Sequence, residues 1–525
     1  MDDAVIMKPA NMSKGRLWTA LAVILLGQFV VAIDLTVLNI ALPDIAKDLN
    51  PTSDQMLWVV DVYSLVLAGM LVASSSLSDR IGRKTALLTG FFFFGAGSVL
   101  VLLVDSAAQL IALRAALGIG GSLIMPVTIA MVRNIFDDPK ERSFAVAAWA
   151  AVGAIGMAVG PLIGGFLLEH FEWHSAFLVN VPLMGTAFLA GVFVLPEVKL
   201  KNPGKFDAVA TLLALAGMMA LMWGIKHVAA ELEWDASGIA AIVGGVLLMA
   251  LFATRCLKSK NPLVDLTLFR SRTFFAGVVG TAVCTFAMAA LLYLLSQWLQ
   301  VVNGDSSIEA GMHLLPMAIA SLVSSAGAAW LATKFQARNV IAVGIGLAGA
   351  AMVMLVFFRN DLTLVPILAA STLVGIGTGA LTIAASVMML ETPNEKASSA
   401  GSLQEVFYDF GNVLGVALLG SLASIVYRDG LDAAKLSAMG ITGESADYVE
   451  QSIAGASEVA NALGLPELMS QASAAFDDSL IATCLVGGIA VLAAAVLVWA
   501  LIPKGLMASN AEDAVEETAE PPVVG

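Results

Sequence analysis

Residues 17–42 read LWTALAVILLGQFVVAIDLTVLNIAL, an apolar run with a single ionisable side chain, Asp34. A helix needs about 20 mostly apolar residues to cross a bilayer core, so the stretch reads as a membrane span. The carboxylate inside it demands a reason, because a charge at the bilayer centre costs on the order of 3 kcal/mol. The rest of the chain repeats the pattern. Hydrophobic residues make up 59% of 525 and charged ones 13%, and the mean hydropathy of +0.88 lies well beyond that of soluble globular chains. About 14 such stretches follow one another, the last near 478–503. The fold class is therefore an all-α polytopic membrane protein. Lys8, Lys14 and Arg16 before the first run imitate a signal peptide, but no small-residue cleavage pattern follows, and the run is read as the first span.

Charge sets the topology. With the N-terminus in the cytoplasm, about 21 of the basic residues fall in inside loops and about 5 outside, as the positive-inside rule requires. An even number of spans returns the C-terminus to the same side. Merging or deleting a span would place the basic stretches RCLKSKN and FRSRTF outside. The formal net charge of -14 comes largely from two solvated segments, one within 428–477 and one in the tail, which makes nucleic acid an improbable partner. The cysteines Cys256, Cys284 and Cys484 have no paired or metal-binding spacing, so neither a disulfide framework nor a metal centre is expected. No phosphate-binding loop or nucleophile elbow is present, which disfavours ATP-driven transport and enzymatic chemistry; no cofactor is implied.

The loop after the second span, LSDRIGRKTAL (Leu77–Leu87), has a degraded echo after the tenth, LATKFQARNVI (Leu331–Ile341), where Thr333 takes the place of Asp79 and Arg338 that of Lys84. Two six-span blocks account for the echo. The expected organisation is a cytoplasmic N-terminus (1–16), a first half (17–196, spans 1–6), an inserted pair of spans with its loops (197–272, spans 7–8), a second half (273–503, spans 9–14) and an acidic cytoplasmic tail (504–525). Within the second half, residues 428–477 are expected to form an external helical hairpin. Parallel halves of this kind place a substrate site near the midplane between them. A basic loop that merely fixes topology explains the charges but not Asp79, Gly82 or the echo.

The residues also carry a resemblance. From WTALAVILLGQFVVAIDLTVLNIALP and QMLWVVDVYSLVLAG through ERSFAVAAWAAVGAIGMAVGPLIGGFLLEHFEWHSAFLVNVP and SQWLQVV to MLETPNEKASSAGSLQEVFYDFGNVLGVALLGSL and FDDSLIATCLVGGI, nearly the whole chain resembles the 14-helix drug:proton antiporters of the major facilitator superfamily, the group that contains QacA-type quaternary-ammonium pumps. The resemblance implies a monomeric multidrug exporter in the bacterial inner membrane, whose partners are lipophilic cationic drugs, protons and membrane lipid.

Four carboxylates lie inside spans: Asp34, Asp61, Glu405 and Asp409. Such groups face cavities and mark ion or substrate pathways. Asp34 and Asp61 sit at matching depths and are expected to share an outward-facing vestibule. Glu405 and Asp409, four residues apart, stack on one helix face. Each acid can hold a proton or attract a poorly hydrated cation, helped by aromatic faces. The bland alternative for Asp34 is a carboxylate satisfied by Thr36, Asn39 or a neighbouring span, and for the acidic pair a packing role. Arg114 is the one base within a span, a partner for one of the acids. The resemblance implies coupling and cation recognition at Asp34, Asp61 and the acidic pair, with Asp34 leading. It also implies a gating motif at Asp79, Arg80, Gly82 and Arg83, with an Asp79–Arg83 latch favouring the outward-open state, although Ser75 or Ser76 stands where the signature has its first glycine.

In span 5, Gly156, Gly160 and Gly164 recur every four residues, a stripe for close helix approach, and Pro161 removes a backbone hydrogen bond. Tight packing alone would explain the stripe; the resemblance adds an antiporter motif. Span 10 offers Ser321 where some relatives carry an acid, so monovalent cations are expected to be preferred. The competing function is a proton-coupled metabolite transporter of the same fold, with drug export incidental.

Overall fold

The structure, a computed structural model, describes residues 6–7, 12–49, 51, 53–136, 138–200, 207–231, 235–259, 262–360, 362–390, 392 and 397–506. The acidic tail from residue 507 onward lies outside the described residues, as do the side chains of Asn39, Asp61, Pro161 and Thr333.

The first half contains α1 (Lys14–Leu49), α2 (Ser53–Ile81), α3 (Arg83–Leu100), α4 (Ala107–Ile135), α5 (Pro139–His170) and α6 (Ser175–Val194). The inserted pair is α7 (Ala208–Glu231) and α8 (Ala236–Lys258). The second half contains α9 (Arg272–Val302), α10 (Ser307–Lys334), α11 (Ala337–Phe358), α12 (Leu364–Met388) and α13 (Ser399–Gly430). Three short helices, α14 (Ala433–Ala438), α15 (Glu444–Gln451) and α16 (Ile453–Leu463), precede the last, α17 (Pro466–Leu501). A two-residue antiparallel pairing joins Ile6–Met7 to Lys199–Leu200.

Among the described residues, 12 helices are long and apolar enough to cross a membrane, and α2, bent by 55° beside residue 72, brings the number to 13. The remaining expected span, α5, is helical throughout, but its described apolar run is only Phe144–Gly153. Phe92, Phe93, Leu103, Phe193, Phe357 and Val365 point out of the bundle. A belt of that size has no place in water and marks a lipid-facing surface. The chain is a multi-pass membrane protein.

Local signals start the helices where the sequence leads one to look. Ser106, Asp235 and Ser271 each accept a backbone N–H of the following first turn, and Ser306 with Glu309 forms a reciprocal capping box on α10. Two apolar cores result, one in each half. The inserted pair packs on the first-half core, with Gly69 of α2 admitting Leu215 of α7. Ala400, Leu403 and Val406 of α13 also join that core, so α13 ties the halves together. The segment expected as a solvated hairpin contains one, α15 with α16, but Ile441, Val449, Ile453 and Ala456 are buried in the second-half core. It is an extension of the bundle.

The glycine stripe of α5 packs on α1. A Cβ on Gly156 would come 2.7 Å from the Cβ of Ala32 and 3.1 Å from the Phe29 carbonyl, and one on Gly160 would overlap Thr36. These backbone approaches hold α1 on either side of Asp34. In thermal unfolding of the micelle-bound protein, Gly156→Ala is expected to lower the melting temperature through an overpacking cost of about 1–3 kcal/mol. Gly165→Ala, whose Cβ meets nothing within 4 Å, is expected to hold or raise it, since alanine favours a helix by about 1 kcal/mol over glycine.

Candidate transport site

Asp34 and Arg114 find each other in the first half. Arg114 Nη1 on α4 donates to Asp34 Oδ2 on α1 at 2.8 Å, with the side chains 2% and 1% exposed. Asn180 Nδ2, at the start of α6, donates to the other oxygen, Asp34 Oδ1, at 2.9 Å. Arg114 Nε donates to the Val59 carbonyl at 3.2 Å, and its guanidinium carbon lies 4.4 Å from the centre of the Tyr63 ring. Four helices thus converge on one ion pair. Thr36 is not a partner, since its hydroxyl donates to the Ile33 carbonyl. Asp61 lies on α2, and its side chain is outside the described residues, so the vestibule expected for Asp34 and Asp61 has no described geometry.

The second half supplies a different arrangement. Glu405 is 1% exposed and its Oε2 has no hydrogen-bond partner; Asp409, one turn on, is half-buried. Among the described residues, no base forms an ion pair with either. Gln404 Oε1 and Gln28 Oε1 are buried acceptors without partners as well. Unmet acceptors at this depth favour a proton donor or a cation. Ser321 is taken, accepting from the Thr378 hydroxyl at 2.7 Å.

Beyond the termini-side end of α2, Arg83 Nη2 pairs with Asp79 Oδ1 at 3.2 Å, and Arg83 Nη1 donates to the Ala130 carbonyl of α4 at 3.0 Å. Gly82 between them has φ 101°, and any Cβ there would run into Glu197. Glu197 accepts from the Lys84 N–H at 3.1 Å and the Thr85 hydroxyl at 2.9 Å, closing the N-terminus of α3 with a residue from beyond α6. Arg80 lies beside this cluster, within the field of Asp79. In the echo after α10, Lys334 lies over Trp330 and Arg338 over Trp499, both at 4.1 Å. Cation–π contacts stand there where the first half has an ion pair.

Sequence reasoning missed Asn180, Glu197 and Tyr63. An Asn-Val-Pro string and a lone glutamate carry no periodic signal, and their partners lie 146 and 113 residues away. Acids at the far helix ends are occupied differently. The Ser237 hydroxyl and the Gly238 N–H hold Asp235 down to about 2, and Glu309 accepts the Ser306 N–H at 2.9 Å. Asp235 therefore stays ionised at any physiological pH.

The Major Facilitator Superfamily model matches residues 24–416. The chain is 36% identical over 92% of its length to the multidrug efflux pump LfrA of Mycolicibacterium smegmatis, covering 96% of that protein. It is 34% identical over 78% of its length to the methyl viologen resistance protein SmvA of Salmonella typhimurium, covering 83% of it. Its fold matches a bacterial homologue of the human lysosomal transporter Spinster with a TM-score of 0.59, at 18% identity, over 93% of this chain and 98% of that one. An all-helical bundle with buried carboxylates, similar over most of its length to named efflux pumps, belongs to the major facilitator superfamily and, within it, to the drug:proton antiporter family.

Proposed function

We propose that the chain exports lipophilic, mainly monovalent cations such as quaternary ammonium compounds and dyes in exchange for protons, by alternating access across a bacterial inner membrane, with both termini cytoplasmic. The observation that carries this reading is the pair Glu405 and Asp409: one fully buried and one half-buried acid, stacked four residues apart, with no basic partner among the described residues. Their charge is available to a proton or to a cation, and occupancy by one excludes the other.

Asp34 has another position in the scheme. Its charge is already compensated by Arg114, so a cation cannot use it without displacing a guanidinium. Protonating Asp34 would instead release Arg114, and with it the tie between α1 and α4. Coupling at Asp34 then means switching the helix bundle, while α13 holds the cargo. The Asp79–Arg83 latch, supported by the Ala130 carbonyl, is suited to hold the termini side closed while the opposite side is open. The basic loops on the side of Lys14 and Arg16 support the cytoplasmic placement of the termini.

The test is proton flux in everted vesicles. Adding a quaternary ammonium to energised vesicles should dissipate part of the pH gradient with the wild type, and Glu405→Gln and Asp409→Asn should each reduce that response at least about tenfold, a loss of about 1.4 kcal/mol or more. Asp34→Asn should abolish coupled flux, since it leaves Arg114 buried without its counter-charge, at a cost of about 3–5 kcal/mol. An unchanged response in Asp34→Asn and in both α13 variants would remove these acids from the mechanism. For selectivity, tetraphenylphosphonium should inhibit dye efflux at a lower concentration than methyl viologen, a dication. The reverse order would refute the monovalent preference, and SmvA, named for methyl viologen resistance, is the natural control.

A further inference from the structure

Two acidic sites on different halves raise the question of how one reports to the other, and Tyr63 is placed to do so. Its ring lies under Arg114, 4.4 Å from the guanidinium carbon, and Phe94 packs edge-on against it at 6.3 Å. The side chain is fully buried, yet its hydroxyl has no hydrogen-bond partner among the described residues. Gly121 of α4 makes room for it: a Cβ there would sit 3.0 Å from the hydroxyl oxygen. A buried phenol with an unmet donor is destabilising, and a phenylalanine would fill the same volume without that cost. Arg114 on α4 touches the Tyr63 ring, and the charges of Asp34 on α1 and Asp409 on α13 also act on it. α13 packs directly on α2 and α4.

We propose that Tyr63 is a positioning residue that couples the two sites. Its ring holds Arg114 over Asp34, and its hydroxyl donates to Asp409 in the state in which that carboxylate is ionised and carries no cargo. When Asp409 takes a proton or a cation, the hydroxyl is released and the support under Arg114 changes. The phenol keeps its own proton throughout; what moves is a hydrogen bond. This inference rests on the exchange reading given above.

Tyr63→Phe separates the two roles, since it keeps the ring and removes the hydroxyl. Binding of tetraphenylphosphonium to the full-length protein is measured from pH 5 to 9 by equilibrium dialysis, for the wild type, Tyr63→Phe, Asp409→Asn and the double variant. A hydrogen bond to an ionised carboxylate favours that form, so losing it helps protons compete. The midpoint pH at which cation binding is lost should therefore rise by about 0.5–1 unit in Tyr63→Phe, and affinity at pH 9, where the empty carboxylate is ionised, should rise by the same factor, about three- to tenfold, because the cation no longer displaces the hydroxyl. In the Asp409→Asn background the same substitution should move the midpoint by nothing measurable, because the interaction is already gone. A midpoint equal to that of the wild type overturns the proposal, and so does an equal shift in both backgrounds, which would make Tyr63 a packing residue independent of Asp409. A wild type whose cation binding ignores pH overturns the exchange reading itself, together with this one.

Discussion

The Asp34–Arg114 ion pair is the constraint around which the first half is built. Two charges taken out of water cost several kcal/mol each, and their mutual attraction offsets this only when the remaining donors and acceptors are also met. Here they are met from several directions: Asn180 on the second carboxylate oxygen, the Val59 carbonyl on the guanidinium, and the Tyr63 ring beneath it. The pair therefore fixes α1, α2, α4 and the start of α6 to one another. The glycines of α5 let α1 be held from its other side through backbone contact. An arrangement so interdependent has few intermediate states. Removing one charge should unlock several helices at once, as a two-state switch requires.

The two halves repeat in outline and differ in chemistry. The loop after α2 is closed by an ion pair, a glycine at positive φ and a distant glutamate. The loop after α10 keeps the basic residues but rests them on tryptophan faces. A guanidinium on a ring is held less directionally than one on a carboxylate, so the second loop is the more easily rearranged. The second half also contains both described π-turns, Trp298–Val302 in α9 and Gly415–Leu419 in α13, the latter six residues beyond Asp409. Such turns are places where a helix can change register locally.

Composition and hydropathy made the membrane architecture legible, because the cost of leaving a backbone unpaired in lipid restricts a chain of this kind to helices. Residue type alone made Asp34, Arg114, Glu405 and Asp409 stand out, since few ionisable groups are tolerated at that depth. Periodicity identified the Gly156–Gly160 stripe, although only the fold shows that its partner is α1. What remained hidden were contacts made by ordinary residues across long separations. Asn180 completes the shell of Asp34 and Glu197 closes α3, yet neither differs in sequence from many solvent-facing residues. The pairing of Arg114 with Asp34, rather than with another acid, is likewise a product of tertiary geometry.

A protein that exchanges a cation for a proton needs a negative charge that nothing within it neutralises permanently. A carboxylate held by an arginine fails this requirement, because any guest must first outcompete a covalently tethered cation whose effective concentration is very high. Asp34 is such a carboxylate; among the described residues, Glu405 and Asp409 are not. Under the exchange proposed above, the distribution of charge divides the labour between the halves, with cargo held on α13 and conformational control on α1 and α4. The two must still communicate, for if α13 could load without disturbing the Asp34–Arg114 pair, proton and cation could cross independently and the gradient would be dissipated. Tight coupling thus requires a contact between α13 and the first half that differs between the loaded and empty states. The packing of α13 against α2 and α4, in the first-half core rather than wholly in its own, is where such a contact has to lie.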